Sequence, residues 1–122
     1  MLQVKHAGQM VFKEEMENIG STGALFHDPG SGFYYTDGIY RSLVRLLGKP
    51  ELIAHIIRIV SGMPGREREF MRVKLRRDHI LFCNREEHVL LREEVPDTIP
   101  LPEEISLCIY CIGRTLLLPV EY

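Results

Sequence analysis

The residues of this chain best suited to binding chemistry are basic and lie in one short segment. The stretch GMPGREREFMRVKLRRD, residues 62–78, contains six Lys or Arg side chains between positions 66 and 77. These side chains are Arg66, Arg68, Arg72, Lys74, Arg76 and Arg77. Cations at such close spacing can neutralise the phosphates of a polyanion. The alternative interpretation is the solvated side of a β-ribbon, whose cations pair with neighbouring acidic residues.

The formal net charge of −2 conceals a segregation of charge along the 122 residues. Residues 41–77 contain ten basic and three acidic side chains, a balance of +7, whereas residues 86–122 contain two basic and eight acidic side chains, a balance of −6. The positively charged range 41–77 also contains Arg41, Arg45 and Lys49, which precede the basic segment. Because the local field steers a polyanion, a basic surface is compatible with an acidic total.

Other residue types that serve catalysis or metal binding occur in unsuitable patterns. Cys108 and Cys111 form C-I-Y-C, but they fall in a strand-like run, where residues three apart point to opposite faces. We predict that they are reduced thiols packed in the core. The five histidines lack the spacing of a metal site or a triad, and paired acids such as Glu86 and Glu87 suit solvated turns and edges. We therefore predict no catalytic residue and no metal ligand in this chain.

The apolar pattern predicts two short helices next to the basic segment. Asp37 is the predicted N-cap of the first helix, and Gly48 suits the left-handed residue after its end. Pro50 suits the first turn of a second helix, which reaches Gly62. In the first helix the predicted apolar face is Ile39, Leu43, Val44, Leu46 and Leu47, and the predicted polar face is Arg41, Ser42 and Arg45.

From residue 71 the hydrophobic period changes to two, which predicts a half-buried strand. Its basic outer side would carry Arg72, Lys74 and Arg76 at repeats of about 6.5 Å. Phe70 falls on the same side by parity and could offer a stacking plane for a base. Turns at 77–78 and 84–87 predict an antiparallel meander, followed by a proline-rich loop and two closing strands.

Together these elements predict one α+β domain over residues 1–122. A helical hairpin at 37–62 would pack on a small antiparallel β-meander sheet at 66–122, whereas residues 1–36 are poorly defined and contain short strands or irregular structure. No apolar run approaches the ~20 residues that cross a bilayer, and the first residues lack the features of a secretory signal. We therefore expect a cytoplasmic protein with no membrane partner.

Three segments in sequence order carry a resemblance to a known family. They are the helical hairpin IYRSLVRLLGKPELIAHIIRIVSG, the turn MPGRERE and the strand pair FMRVKLRRDHILFC. This order resembles the middle, substrate-binding region of tRNA(Ile)-lysidine synthetases over residues 38–84. The matching positions are Arg41 and Arg45 in the first helix, Gly62 and Gly65 in the turn, and Arg76, Arg77 and Asp78 between the strands.

The resemblance implies a family that uses ATP to ligate lysine to the wobble cytidine of an isoleucine tRNA. Its chemistry lies in a nucleotide-binding domain with an S-G-G-x-D-S loop, which this sequence lacks. ATP and magnesium would therefore belong to a domain outside this chain. The implied function is a noncatalytic tRNA-binding accessory domain, with the rest of a longer ligase as a further partner. The alternative is a protein-interaction or homodimerisation module, in which the basic middle of one copy meets the acidic 86–104 segment of another.

Overall fold

The computed structural model describes residues 24–122, which form a seven-stranded mixed β-sheet with two short helices. The strands are β1 (Leu25–Asp28), β2 (Phe33–Thr36), β3 (Met71–Leu75), β4 (His79–Cys83), β5 (Val89–Glu94), β6 (Leu107–Ile112) and β7 (Thr115–Leu117). Their order in the sheet is β1-β2-β7-β6-β3-β4-β5. All neighbours are antiparallel except β2 and β7, which are parallel.

Two helices connect β2 to β3. Helix α1 begins as an α-helical turn, Asp37–Ile39, and continues as a π-helix, Tyr40–Leu46, whereas α2 is a regular α-helix, Glu51–Ser61. Single 3-10 turns lie at Glu67–Glu69 and Pro119–Glu121. Within residues 24–122, no helix has the length and apolar content needed to cross a bilayer.

The predicted α+β class is confirmed, but the predicted helical hairpin on a small antiparallel meander is wrong. The predicted meander exists as β3, β4 and β5, and it forms only one side of a larger, mixed sheet. Residues 1–36 were expected to contain short strands or irregular structure; the described part of that range contains the strands β1 and β2, and residues 1–23 lie outside the described residues. Such short strands become stable only by pairing with partners that are distant in sequence, which a local pattern does not specify.

Helix α1 buries different side chains from those that the sequence pattern predicts. The Leu47 amide donates to the carbonyl of Ser42, five residues earlier, at 3.0 Å. A π-turn contains more residues than an α-turn, so the two faces shift relative to a 3.6-residue period. Ser42 is therefore fully buried, and its hydroxyl donates to the Gly38 carbonyl at 2.7 Å. Leu46 instead has 38% of its surface exposed.

The N-cap of α1 is Thr36, so the prediction of Asp37 is wrong by one residue. The Thr36 hydroxyl accepts a hydrogen bond from the Ile39 amide at 3.3 Å. Asp37 lies in the first turn, where its carboxylate is 3.0 Å from the Arg41 guanidinium. The predicted left-handed residue at the C-terminal end is confirmed, since Gly48 has a φ of 70°.

The sheet has one buried face, here called the inner face, and one partly exposed face, called the outer face. In β3, Met71, Val73 and Leu75 are fully buried and belong to one apolar cluster with helix residues such as Leu43 and Ile56. The helices therefore lie over the inner face. The alternate residues of β3, Arg72 and Lys74, point to the outer face and are half-buried, as is Arg76 directly after the strand.

Candidate functional site

Strand β3 places Arg72 and Lys74 on the outer face, at alternate positions as the sequence pattern predicts, and Arg76 follows directly after the strand. They are held from both sides, because β3 pairs with β4 and with β6. Arg72 lies opposite Tyr110 of β6, and Lys74 lies opposite Cys108. Directly paired residues point to the same face, so Tyr110 and Cys108 also belong to the outer face.

The basic residues of the first helix lie on the other side of the sheet. Arg41 and Arg45 are exposed on α1, which packs over the inner face, and Lys49 follows that helix. The Arg41 guanidinium is also paired with the Asp37 carboxylate. Arg41, Arg45 and Lys49 are therefore not brought together with Arg72, Lys74 and Arg76. The helices and β3 do pack together, but through their apolar sides.

The four basic residues of the segment that lie outside β3 point in different directions. The Arg68 guanidinium lies 5.7 Å from the ring centre of Phe33, which belongs to the buried core, so Arg68 points away from the outer face. Arg77 lies in the β3–β4 turn and lines a cavity of 710 Å³ together with Asp78. The Arg76 guanidinium donates to the carbonyl of Leu75 at 3.1 Å. Arg66 has an 83% exposed side chain.

Three aromatic rings form a cluster on the outer face, here called the aromatic cluster and defined by Phe70, Tyr110 and Tyr122. Their ring centres are 4.9 to 5.7 Å apart, in the tilted and edge-on arrangements that aromatic pairs prefer. Phe70 is 8% exposed, whereas Tyr122 is 73% exposed. Phe70 thus lies on the side of Arg72, as parity predicts, but its ring is covered and is not available as a stacking plane.

Two guanidinium groups converge on the aromatic cluster. The Arg72 guanidinium carbon is 5.3 Å from the ring centre of Phe70 and 5.4 Å from that of Tyr110, and its Nη1 donates to the Tyr110 hydroxyl at 3.2 Å. The Arg85 guanidinium carbon lies 4.6 Å from the Phe70 ring centre. These cation–π contacts fix both groups in position. Among residues 24–122, no carboxylate lies within ion-pairing distance of Arg72 or Arg85.

Part of the basic strand is neutralised within the chain. The Lys74 ammonium donates to the Glu87 carboxylate at 2.6 Å, and this hydrogen bond raises the pKa of Lys74 and lowers the pKa of Glu87. Glu87 has a left-handed backbone, with a φ of 66°, in the turn between β4 and β5. The Asn84 side chain accepts from the His88 amide at 2.9 Å and closes this turn. Of the three cations that were predicted to form a row, Lys74 is therefore paired, and Arg72 and Arg76 have no acidic partner in residues 24–122.

The two cysteines of the C-I-Y-C sequence lie on opposite faces, as predicted. Cys111 is fully buried on the inner face, and its burial raises the thiol pKa to about 12. Cys108 is half-buried on the outer face, where burial raises its pKa although Arg72, Lys74 and Arg76 oppose that shift. Neither thiol is primed as a nucleophile at neutral pH. In the described part of the chain, no three His, Cys, Asp or Glu side chains are grouped to hold a metal ion.

Three residues of the site were missed by the sequence analysis: Arg85, Tyr110 and Tyr122. Arg85 lies in the β4–β5 turn, and its approach to Phe70 depends on how β4 pairs with β3. The alternation of β6 does place Tyr110 on the face opposite Ile109 and Cys111. This parity was available from the sequence, but the pairing of Tyr110 with Arg72 was not.

Comparisons with protein-family models, with curated proteins and with solved structures find no match for this chain.

Proposed function

We propose that the outer face of the sheet binds RNA, with tRNA as the leading ligand. The observation that carries this proposal is the convergence of the Arg72 and Arg85 guanidinium groups on Phe70 without a carboxylate partner in residues 24–122. Two like charges held near one ring repel each other, and an anion between or beside them relieves that repulsion. Arginine suits phosphate because its fixed fork of N–H donors matches the phosphate oxygens.

The burial of Arg72 strengthens its attraction for an anion. Its Nε is shielded from solvent and has no hydrogen-bond partner in the described residues. A partly desolvated cation interacts more strongly with an anion than one in bulk water, because solvent screens it less. Aromatic rings on the same face supply apolar contact area for bases, which a surface that binds only phosphate would not need. The combination favours nucleic acid over a simple anion.

Within this proposal the chain is a noncatalytic domain, and its relation to tRNA(Ile)-lysidine synthetases stays a prediction from the order of features in residues 38–84. ATP and magnesium would then act in a catalytic domain outside this chain. The structure changes which residues are proposed to contact RNA. Arg72 and Arg85 form the central set, with Arg66 close to Phe70 and Arg85, and with Arg76 at the other end of β3. Arg41, Arg45 and Lys49 are on the helical side and are proposed not to take part.

The experiment that tests this function is a salt titration of tRNA binding with paired variants. We expect the double variant Arg72→Gln/Arg85→Gln to bind tRNA about tenfold or more weakly, since each lost contact is a charge-assisted hydrogen bond. The slope of log affinity against log salt should become shallower by roughly 1.4–1.8, because two phosphate contacts are lost. The matched control Arg41→Gln/Arg45→Gln removes the same charge from the helical side and should change neither quantity. Equal effects of the two pairs, or no binding by the unmodified chain at low salt, would contradict the proposal.

Removing the acidic partner of Lys74 should strengthen tRNA binding. In Glu87→Gln the Lys74 ammonium loses its carboxylate partner and becomes available to phosphate. We expect tighter tRNA binding and a salt slope steeper by roughly 0.7–0.9, as for one added contact. Glu51→Gln is the control, because it removes one negative charge from an exposed position on α2, over the inner face. If both variants tighten binding equally, net charge and not the Lys74–Glu87 pair controls the affinity.

Self-association is a second candidate, favoured by the edge of the sheet at β5. Val89 is 56% exposed, Leu90 is exposed beside it, and among residues 24–122 no strand pairs with the free side of β5. The sequence predicted that a basic residue of one copy would contact the acidic segment of another copy. Lys74 and Glu87 make this kind of contact within one chain. Sedimentation without RNA separates the candidates, because dimers at all salt concentrations would favour the β5 edge.

A further inference from the structure

We infer that the outer face prefers single-stranded RNA and stacks two of its bases, one on Tyr122 and one on Tyr34. This inference rests on the proposed RNA-binding function and adds to it the class of RNA and the residues that recognise it. A purely electrostatic surface binds single strands and duplexes alike, whereas stacking requires bases that are unpaired. The two proposals can therefore fail separately.

The first stacking position is the free side of Tyr122. Its ring contacts Phe70 and Tyr110 through edge-on arrangements, with ring centres 5.5 and 5.7 Å away. These contacts support the ring from one side and leave 73% of the residue exposed. Bases stack on aromatic rings that are held in place by neighbouring side chains and are still exposed to solvent. Arg72 and Arg85 surround the same cluster and are placed to contact the phosphates next to a base stacked there.

The second stacking position lies two strands away on the same face. Tyr34 of β2 is opposite Thr115 of β7, and Thr115 is opposite Ile112 of β6. Ile112 is two residues from Tyr110 and shares its face. Tyr34 is 40% exposed and is braced by the His27 ring, whose centre is 4.9 Å away.

The distance between the two positions excludes a single shared base. Strands β2 and β6 are separated by β7, which corresponds to two inter-strand spacings, or about 10 Å. One base cannot cover both rings, but two bases of one strand can. The side chains between them, Thr115, Leu117 and Ile112, are half-buried and uncharged. None of these three side chains carries a carboxylate that would repel a phosphate backbone.

The test compares one mixed-sequence RNA of about 16 nucleotides, alone and annealed to its complement, at one salt concentration. We expect the single strand to bind the unmodified chain more tightly than the duplex. Tyr122→Leu and Tyr34→Leu should each weaken single-strand binding about five- to 150-fold, the range for one lost stacking contact, and should leave duplex binding unchanged. The salt slope should stay the same in both variants, because no charge is removed.

Two controls keep the result interpretable. Val120→Ala truncates an exposed apolar side chain close to Tyr122 and should not alter RNA binding. Tyr34→Leu lies outside the aromatic cluster, so it remains informative if Tyr122→Leu disturbs folding. Because the chain has no tryptophan, quenching of tyrosine emission on binding also reports stacking directly.

The outcomes separate the two proposals. Equal affinity for single strand and duplex, with no effect of either tyrosine variant, would overturn the stacking inference and leave charge-driven RNA binding in place. Absence of binding to both RNAs at low salt would overturn the proposed function as well. Loss of single-strand binding in Val120→Ala to the same extent as in the tyrosine variants would also contradict stacking.

Discussion

Leu43→Ala is expected to lower the free energy of unfolding by about 2–5 kcal/mol, because it opens a cavity in the core beneath α1. Leu46→Ala, the same change three residues later in the same helix, is expected to lower it by less than about 1 kcal/mol. Leu43 is completely buried, whereas Leu46 is 38% exposed. Urea denaturation of the two variants and the unmodified chain measures both values.

This pair of variants tests the π-helical geometry of α1. A regular α-helix with the predicted apolar face would bury both leucines and would make the two losses similar. The observed hydrogen bond from the Leu47 amide to the Ser42 carbonyl shifts Leu46 towards solvent. Equal destabilisation by Leu43→Ala and Leu46→Ala would show that α1 follows the sequence pattern and not the π-helical arrangement.

Glu121→Ala is expected to lower the free energy of unfolding by about 1.5–3 kcal/mol, the range for hydrogen bonds to a charged group. The Glu121 carboxylate accepts hydrogen bonds from the Thr36 hydroxyl at 2.6 Å, the Gly38 amide at 3.1 Å and the Leu118 amide at 2.9 Å. It therefore joins the C-terminal turn to the start of α1, and its loss leaves three donors unsatisfied. Thermal or urea unfolding of the variant and the unmodified chain measures this loss of unfolding free energy.

Gly38→Ala tests the same contact from the other side. A Cβ at position 38 would lie 2.5 Å from the carboxyl carbon of Glu121, so the side chain would have to move and lose its hydrogen bonds. We therefore expect Gly38→Ala to cost nearly as much as Glu121→Ala, and to cost little more in the Glu121→Ala background. Gly30→Ala is the control, because nothing lies within 4 Å of its added Cβ. Strictly additive losses would exclude the proposed coupling.

The elements that local patterns determine were predictable from the sequence. Helix α2 shows this, since its buried positions Leu52, Ile53, Ile56 and Ile57 follow the period that predicts them. The alternation in β3 likewise placed Arg72, Lys74 and Arg76 on one side of the strand. In both elements the burial pattern follows a local hydrophobic period, which can be read from the sequence of that element alone.

The arrangement of the sheet was not predictable from these patterns. Strand β6 pairs with β3 across 31 intervening residues or more in sequence, and the parallel contact of β2 with β7 joins the two ends of the described chain. Such pairings depend on side chains that are distant in sequence. The side of the sheet that the helices cover is also a tertiary property, and it separated Arg41 and Arg45 from Arg72.

The candidate site was consequently predicted only in part. The basic strand was found, but its neutralisation by Glu87 and its extension by Arg85 depend on the β4–β5 turn folding back over β3. In the sequence alone, where the position of this turn is unknown, Glu87 is one of several acidic residues in a turn, and Arg85 is one isolated cation. The aromatic cluster combines residues from three separate parts of the chain, so no short motif contains it.

A tRNA titration followed by backbone amide NMR spectra of the labelled chain shows which face of the sheet binds RNA. We predict changes in amide chemical shift for the outer-face residues of β3 and β6 and for the 84–88 turn, including Arg72, Arg85 and Tyr110. The amides of Arg41 and Arg45 in α1 should remain unchanged. Changes concentrated in α1 and α2, or no change at any position at low salt, would contradict this prediction.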